Sequence, residues 1–393
     1  VGDWSRRCQV SHIERRQRKL GDGSPGPVRW RVRYTTPAGE ERNRTFDRKV
    51  DAERFVLSVD SDKARGRFID PRSGNVGFAA FVEHRYRPTM IDLEPSTRAR
   101  DESYLRTHIL PTFGPVPLAS IDYGACQAWV SELSTRRAPA TVVKAAQIMN
   151  KVMAAAVRSQ AIAVNPMDEV RLPTVEESED VYLTPAQVRQ LADAMQEVAP
   201  RYRAMVYVGC YAGPRIGELA ALRWYDVDLL HRTISITRKV IEVTGLGLLE
   251  GSTKTKAGRR TVTIPRLVAE ELDRHRSQFP SDGLVFTSPS GTQVRANNLR
   301  RRAWAAAVQL AGLEPAPTFH DMRHTAVSLW IAAGASDLEV AKWAGHRSAS
   351  FTKDRYAHLF PEHGAALADR LDAFIAAATS TPAAGIAALR PRG

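Results

Sequence analysis

The sequence predicts an α+β protein in three parts: a small N-terminal domain of sheet plus helix over 1–70, a helical domain over 75–172, and a mainly helical domain with a small antiparallel sheet over 178–370. Three observations predict it. Val28-Arg-Trp-Arg-Val-Arg-Tyr34 alternates with the period of a strand, and apolar residues between 78 and 168 recur with the period of a helix. Beyond 180, capped helical segments flank the strand-like runs Thr233-Ile-Ser-Ile-Thr237 and Thr261-Val-Thr-Ile264. At 393 residues, with 43% apolar and 25% charged side chains, the chain can bury two or three separate cores.

In the first part, Pro37-Ala-Gly39 turns the chain and Arg42-Asn-Arg-Thr-Phe46 returns as a second strand, with a short helix over 50–59. Arg29, Arg31 and Arg33 then share one face of the sheet, which is either a solvated face or a surface presented to a DNA groove. In the second part, Phe81, Arg85 and Tyr86 mark one helical stretch, Leu105, Ile109 and Leu110 another, and a longer helix runs over 140–159. Pro111-Thr-Phe-Gly-Pro115 and Asn165-Pro166 break them. Leu172-Pro-Thr-Val-Glu-Glu-Ser-Glu-Asp180 carries four acidic residues and no apolar period, and reads as an exposed linker. Thr184-Pro185 restarts a helix, threonine as cap and proline at its first position. Residues 371–393, rich in Ala, Pro and Thr, read as a flexible tail.

A net charge of +13, of which +6 lies in 1–70, favours a polyanionic partner, because cationic side chains release counterions from any phosphate backbone. An anionic membrane is the weaker alternative: apolar runs such as 204–213 are far shorter than a spanning helix, and no signal peptide opens the chain. Cys8, Cys126 and Cys210 are too scattered for a disulfide framework or zinc site and read as reduced thiols. There is no Walker-type phosphate loop, no H-E-x-x-H signature and no internal repeat, which weakens ATP-driven and zinc-dependent chemistry.

Four clusters in the C-terminal part can carry chemistry. In Tyr211-Ala-Gly-Pro-Arg-Ile-Gly-Glu-Leu219, Arg215 lies in the opening turn of a helix, near its positive end, with Glu218 one turn on. That pair is either a phosphate clamp or an ordinary surface ion pair. Ser252-Thr-Lys-Thr-Lys256 puts Lys254 and Lys256 on or beside a hairpin tip, as solvated charges or as an acid for a leaving oxygen. In Thr318-Phe-His-Asp-Met-Arg-His-Thr325, Thr318 and Asp321 form a capping box and place His320 and Arg323 on one face of the first turn, while His324 points elsewhere and reads as structural. Ser336-Asp-Leu-Glu339 caps a helix ended by Gly345; His346 follows, and Tyr356 comes ten residues later on a second short helix. A phenol with a pKa near 10 is a poor nucleophile at neutral pH and needs cationic partners.

In this order and spacing, Arg215, a hairpin lysine, His320-x-x-Arg323, Gly345-His346 and Tyr356 resemble the tyrosine recombinases, the phage integrase family. The resemblance implies the tyrosine recombinase catalytic fold over 178–370, a core-binding domain over 75–172 and an arm-type DNA-binding domain over 1–70. It implies that Arg215 and Arg323 clamp the scissile phosphate and that His320 and His346 hydrogen-bond its oxygens. A lysine, Lys254 in preference to Lys256, protonates the leaving 5′ hydroxyl, and Tyr356 attacks to form a 3′-phosphotyrosyl link without metal or other cofactor. The implied partners are double-stranded DNA at core-type and arm-type attachment sites, a homotetramer passing through a Holliday junction, a host DNA-bending protein and an excision factor. The implied setting is the bacterial cytoplasm, at the nucleoid. A resolvase-type recombinase and a catalytically silent DNA-binding protein of the same fold are the alternatives.

Overall fold

The computed structural model describes residues 11–19, 21, 24–36, 40–64, 73–176, 180–252, 258–346, 348–360 and 372–373. The chain divides into two units, Val1–Glu177 and Ser178–Gly393.

The first unit opens with a three-stranded antiparallel sheet, β1 (His12–Lys19), β2 (Pro25–Thr35) and β3 (Glu41–Phe46), with β2 in the centre. β1 is an addition to the two strands expected: its sequence, His-Ile-Glu-Arg-Arg-Gln-Arg-Lys, carries only one apolar residue, so its pairing partner rather than its own pattern makes it a strand. The helix Lys49–Ala64 runs longer than the 50–59 read from the sequence. Val32, Tyr34, Ala52 and Val59 form the buried centre of a small core, edged by Trp30, Phe46 and Phe55. Because the strand period is two, burying Val32 and Tyr34 turns Arg29 and Arg33 outward; Arg31 faces the same way but is half-buried.

A second core in this unit is helical. Pro139–Arg158 buries Val142, Ala145, Ala146, Ile148, Met149, Val152, Met153, Ala155 and Ala156, the stripe that a 3.6-residue period lays down one face of a helix. Phe78, Phe81, Leu105, Ile109, Phe113 and Trp129 complete the core. Each such aliphatic or aromatic side chain removed from water contributes about 1.5–3 kcal/mol before conformational entropy is counted. Asp101 is fully buried within this unit, held by Arg100 and by Lys151 at 3.0 Å.

In the second unit the helix Pro185–Val198 starts as the sequence predicts, with Thr184 accepting from the Gln187 amide and Gln187 closing the capping box. It packs with Arg203–Ala212, Arg266–Gln278, the helical stretch from Ala296 to Leu310 and Phe319–Ala332 around one large core. A small sheet joins β4 (Val227–Asp228), β5 (Thr233–Ile236) and β8 (Arg260–Thr263). Between β5 and β8 stands a hairpin that the sequence pattern does not resolve, β6 (Arg238–Val243) with β7 (Gly247–Ser252). Its turn lies at 244–246; Lys254 and Lys256 fall outside the described residues, as does the greater part of 371–393. Among the described residues no helix is long and apolar enough to cross a membrane.

Candidate active site

Four stretches, the last two adjacent in sequence, bring Arg215, Arg323, His346 and Tyr356 to one place in the second unit. The first is the junction of two helices. Arg203–Ala212 ends at Gly213, whose φ of +66° is the left-handed conformation that glycine adopts freely. The chain then turns through Pro214, and Arg215 caps the helix Ile216–Ala221 rather than lying within its first turn. The Arg215 amide donates to Glu218 Oε2 (2.9 Å) and its half-exposed guanidinium to Glu218 Oε1 (3.3 Å).

The second stretch is the helix Phe319–Ala332. The Thr318 hydroxyl accepts from the His320 amide and the Asp321 carboxylate accepts from the Thr318 amide (2.6 Å), so the aspartate serves in the capping box as anticipated. His320 is exposed at the rim of the site, whereas Arg323 is 3% exposed. Arg323 donates to the Gly213 carbonyl (2.9 Å) and to the Ala344 carbonyl, which ties the helix junction to the third stretch.

There, Ser336 and Glu339 cap the helix Asp337–Ala344, Gly345 ends it at φ +65°, and His346 turns inward. The His346 Nδ1 lies 2.7 Å from the Thr352 hydroxyl; with Thr352 donating, the ring proton sits on Nε2. The imidazole lies nearly parallel to the Tyr356 ring, centroids 6.1 Å apart. Tyr356 ends the fourth stretch, the helix Ala349–Tyr356, and is buried among Val327, Ile331, Val340 and Ala344.

The charge balance of the site is one-sided. Arg260, at the start of β8, is buried, donates to Glu218 Oε2 (2.9 Å) and ties down the last turn of the helix Asp337–Ala344 through the Trp343 carbonyl (2.6 Å). Glu218 therefore serves two arginines, and their hydrogen bonds hold its carboxyl below the usual range in spite of burial. Burial, then the charges of Arg215 and Arg260, lowers the Arg323 pKa. Burial, then the charges of Arg323, Arg215 and Arg260, pushes His346 down to about 3, and partial desolvation of the rim imidazole, then Arg323 and Arg215, lowers His320 as well. Both imidazoles are thus neutral donors at neutral pH. A bound anion would offset the mutual repulsion of these cations. Beside the site a groove of about 710 Å³ is lined in part by Arg259, Arg260, Lys342 and His346.

The structure adds a contact to one reading made from the sequence and corrects another. His324, which reads as structural within its motif, aims its Nδ1 at the Tyr356 hydroxyl at 2.7 Å and stands edge-on to His320, one helical turn away, at 4.5 Å between ring centroids. Asp180, which reads as the end of an exposed linker, accepts two hydrogen bonds from Arg355 (2.6 and 3.1 Å), and its Oδ1 lies 3.5 Å from His324 Nε2. Nothing near Asp180 in the chain marks it, because its partners are 144 and 175 residues away and its sequence neighbours are acidic. Sequence reasoning also misses Thr352 and Arg260; the spacing of Thr352 from Tyr356, one helical turn, is the one local signal.

The chain matches the phage integrase family over residues 181–363, and the phage integrase N-terminal SAM-like domain over 83–134. The two stretches cover more than half of its length, and the chain belongs to this family, the tyrosine recombinases, enzymes that recombine DNA at specific sites. Among its relatives is a putative prophage phiRv2 integrase of Mycobacterium tuberculosis, 27% identical over 347 residues that cover 84% of this chain and 88% of that protein. The integrase of Mycobacterium phage D29 is 25% identical over 328 residues, 80% of this chain and 86% of the relative. The fold is shared with the Tn1549 transposon integrase in complex with transposon right end DNA (TM-score 0.63, 19% identity, 76% of this chain and 99% of the other). It is shared also with a lambda integrase tetramer bound to a Holliday junction (TM-score 0.56, 16% identity, 85% and 93%).

Proposed function

We propose that this chain inserts a phage or other mobile element into a bacterial chromosome, and excises it, by cutting and rejoining double-stranded DNA through Tyr356. The observation that carries the proposal is the convergence of Arg215, Arg323 and His346 on the buried Tyr356, in a site where Arg215 and Arg260 share the carboxylate of Glu218 and Arg323 has carbonyl partners alone. Arg215 and Arg323 hold the scissile phosphate; the second is pinned by two carbonyls and needs little reorganisation when charge develops on phosphorus. His320 and His346, neutral and with a ring N–H to give, hydrogen-bond the non-bridging oxygens. Tyr356 attacks phosphorus, the bond to the 5′ oxygen breaks, and Lys254 protonates that oxygen. The 3′-phosphotyrosyl bond conserves the energy of the phosphodiester, so a second strand can be joined without ATP.

In this reading residues 75–172 hold the core-type site and the sheet before residue 70 the arm-type site. Four copies act on a Holliday junction, with a host DNA-bending protein and an excision factor setting direction, at the bacterial nucleoid. A nicked duplex spanning the junction between element and chromosome loses its short 5′ fragment after cleavage and traps the covalent adduct. The wild-type chain is expected to accumulate this adduct and Tyr356→Phe to form none; a Tyr356→Phe chain that still formed it, or still recombined DNA, would overturn the assignment.

A further inference from the structure

The hydroxyl of Tyr356 does not stand alone in the pocket. It meets the Nδ1 of His324 at 2.7 Å, and both side chains are buried. The other ring nitrogen of His324 faces Asp180 Oδ1 at 3.5 Å, and Arg355 grips that carboxylate with two nitrogens while the Tyr182 hydroxyl approaches its second oxygen at 3.5 Å. Carboxylate, imidazole and hydroxyl are thus in series, drawn from the segment before the Pro185 helix, from the Phe319 helix and from the helix Ala349–Tyr356. With the Nε2 proton directed at Asp180, the Nδ1 lone pair is the one that faces the phenol.

Resting on the recombinase reading above, we propose that His324 is the base that takes the proton of Tyr356 during cleavage, with Asp180 as the positioning residue that fixes its tautomer and steadies the imidazolium. As the phenol oxygen bonds to phosphorus, its proton passes to Nδ1; the bond to the 5′ oxygen breaks, and that oxygen takes its proton from the separate lysine acid. In rejoining, the 5′ hydroxyl attacks and gives its proton back to the lysine, the bond from phosphorus to the Tyr356 oxygen breaks, and His324 returns its proton to that oxygen. His320 and His346 are then free to serve the phosphate oxygens, so the site divides its histidines between substrate and nucleophile.

Burial holds the Tyr356 phenol up at about 12 and the His324 imidazole down at about 4, against the pull of Asp180. A free phenolate beside an imidazolium is therefore rare at rest, and transfer is coupled to attack, which is the regime in which a positioned base contributes rate. The charged and titratable groups around His324 are Asp180, Tyr182, His320, Asp321, His346, Arg355 and Tyr356; of these Asp180 makes the leading contribution favouring its protonated form.

The test is single-turnover adduct formation by the full-length chain on the nicked duplex, with either the natural 5′ oxygen or a bridging 5′ sulfur at the scissile bond. Sulfur leaves without a proton, so it restores variants that lack the acid and leaves a defect in the base in place. His324→Asn, which keeps a hydrogen-bonding group near Nδ1, is expected to slow adduct formation about a hundredfold on both substrates with DNA affinity unchanged. Asp180→Asn, one residue further from the phenol, is expected to slow it about tenfold on both, and Asp180→Glu to recover most of that loss. Wild-type rates in both Asn variants, or their rescue by sulfur, would overturn the proposal while leaving Tyr356 as nucleophile. A wild-type chain that forms no adduct overturns the recombinase reading and this one with it.

Discussion

Arginines of the N-terminal sheet and arginines of the pocket carry the same charge in opposite circumstances. Arg29 and Arg33 are 61% and 54% exposed on a strand face and keep loose company with Asp47 (3.4 Å) and Glu14 (3.7 Å). Arg323 and Arg260 are buried and pinned by backbone carbonyls, and Arg260 also grips the buried Glu218. An exposed, hydrated cation offers an anion a screened attraction that works on any phosphate and fades with salt. A cation desolvated when the protein folds is already oriented, so it can stabilise charge that appears during a reaction. In the proposed function, position in the fold, more than net charge, separates holding DNA from acting on it.

The comparison breaks most visibly at Arg323. Arg323→Ala is expected to lower the single-turnover rate of adduct formation about a hundred- to a thousandfold, and Arg323→Lys to recover little, because an ammonium cannot span both carbonyls and a phosphate. Near wild-type cleavage by either variant would place the pocket arginines in the same class as the strand arginines. Replacing Arg29, Arg31 and Arg33 together with Ala should leave adduct formation at saturating protein unchanged. It should make DNA affinity less dependent on salt, by about one unit of slope for each phosphate that the variant no longer neutralises. An unaltered slope, measured by titration between low and physiological salt, would take this face off the DNA.

The smallest effect separates the regions by pH. Arginines stay charged throughout, whereas His346 and His324 are held near 3 and 4, below the ordinary 6.5, by burial first. The folded pocket therefore binds fewer protons than the unfolded chain between about pH 6.5 and pH 4. Its stability is full above 6.5 and declines as pH falls through that window. Melting of the wild-type chain between pH 7.5 and 5 should show the decline in Tm, and His346→Asn should flatten it; an equal slope in the variant would mean that His346 is not the group responsible.

Local signals in the sequence carry a good part of this far. The capping boxes at Thr184, Thr318 and Ser336 and the left-handed stops at Gly213 and Gly345 are written within four residues of where they act. They orient Arg215, Arg323 and His346 before any tertiary packing is considered. Nonlocal features are hidden. β1 is a strand because β2 pairs with it, and the β6–β7 hairpin interrupts what reads as one connection between β5 and β8. His324 sits next to an arginine that explains the motif by itself, and only the fold reveals that the helix Ala349–Tyr356 delivers the Tyr356 hydroxyl to it. Asp180 carries no local signal whatever; its role is set by Arg355 and His324 arriving from the other end of the chain.

The most direct measurement is the identity of the residue joined to DNA. Adduct trapped on the nicked duplex, digested with nuclease and protease and sequenced by mass spectrometry, should give one modified peptide, with the nucleotide remnant on the tyrosine of Asp-Arg-Tyr356-Ala-His. A remnant on any other side chain, or an adduct that survives Tyr356→Phe, would contradict the account of this pocket.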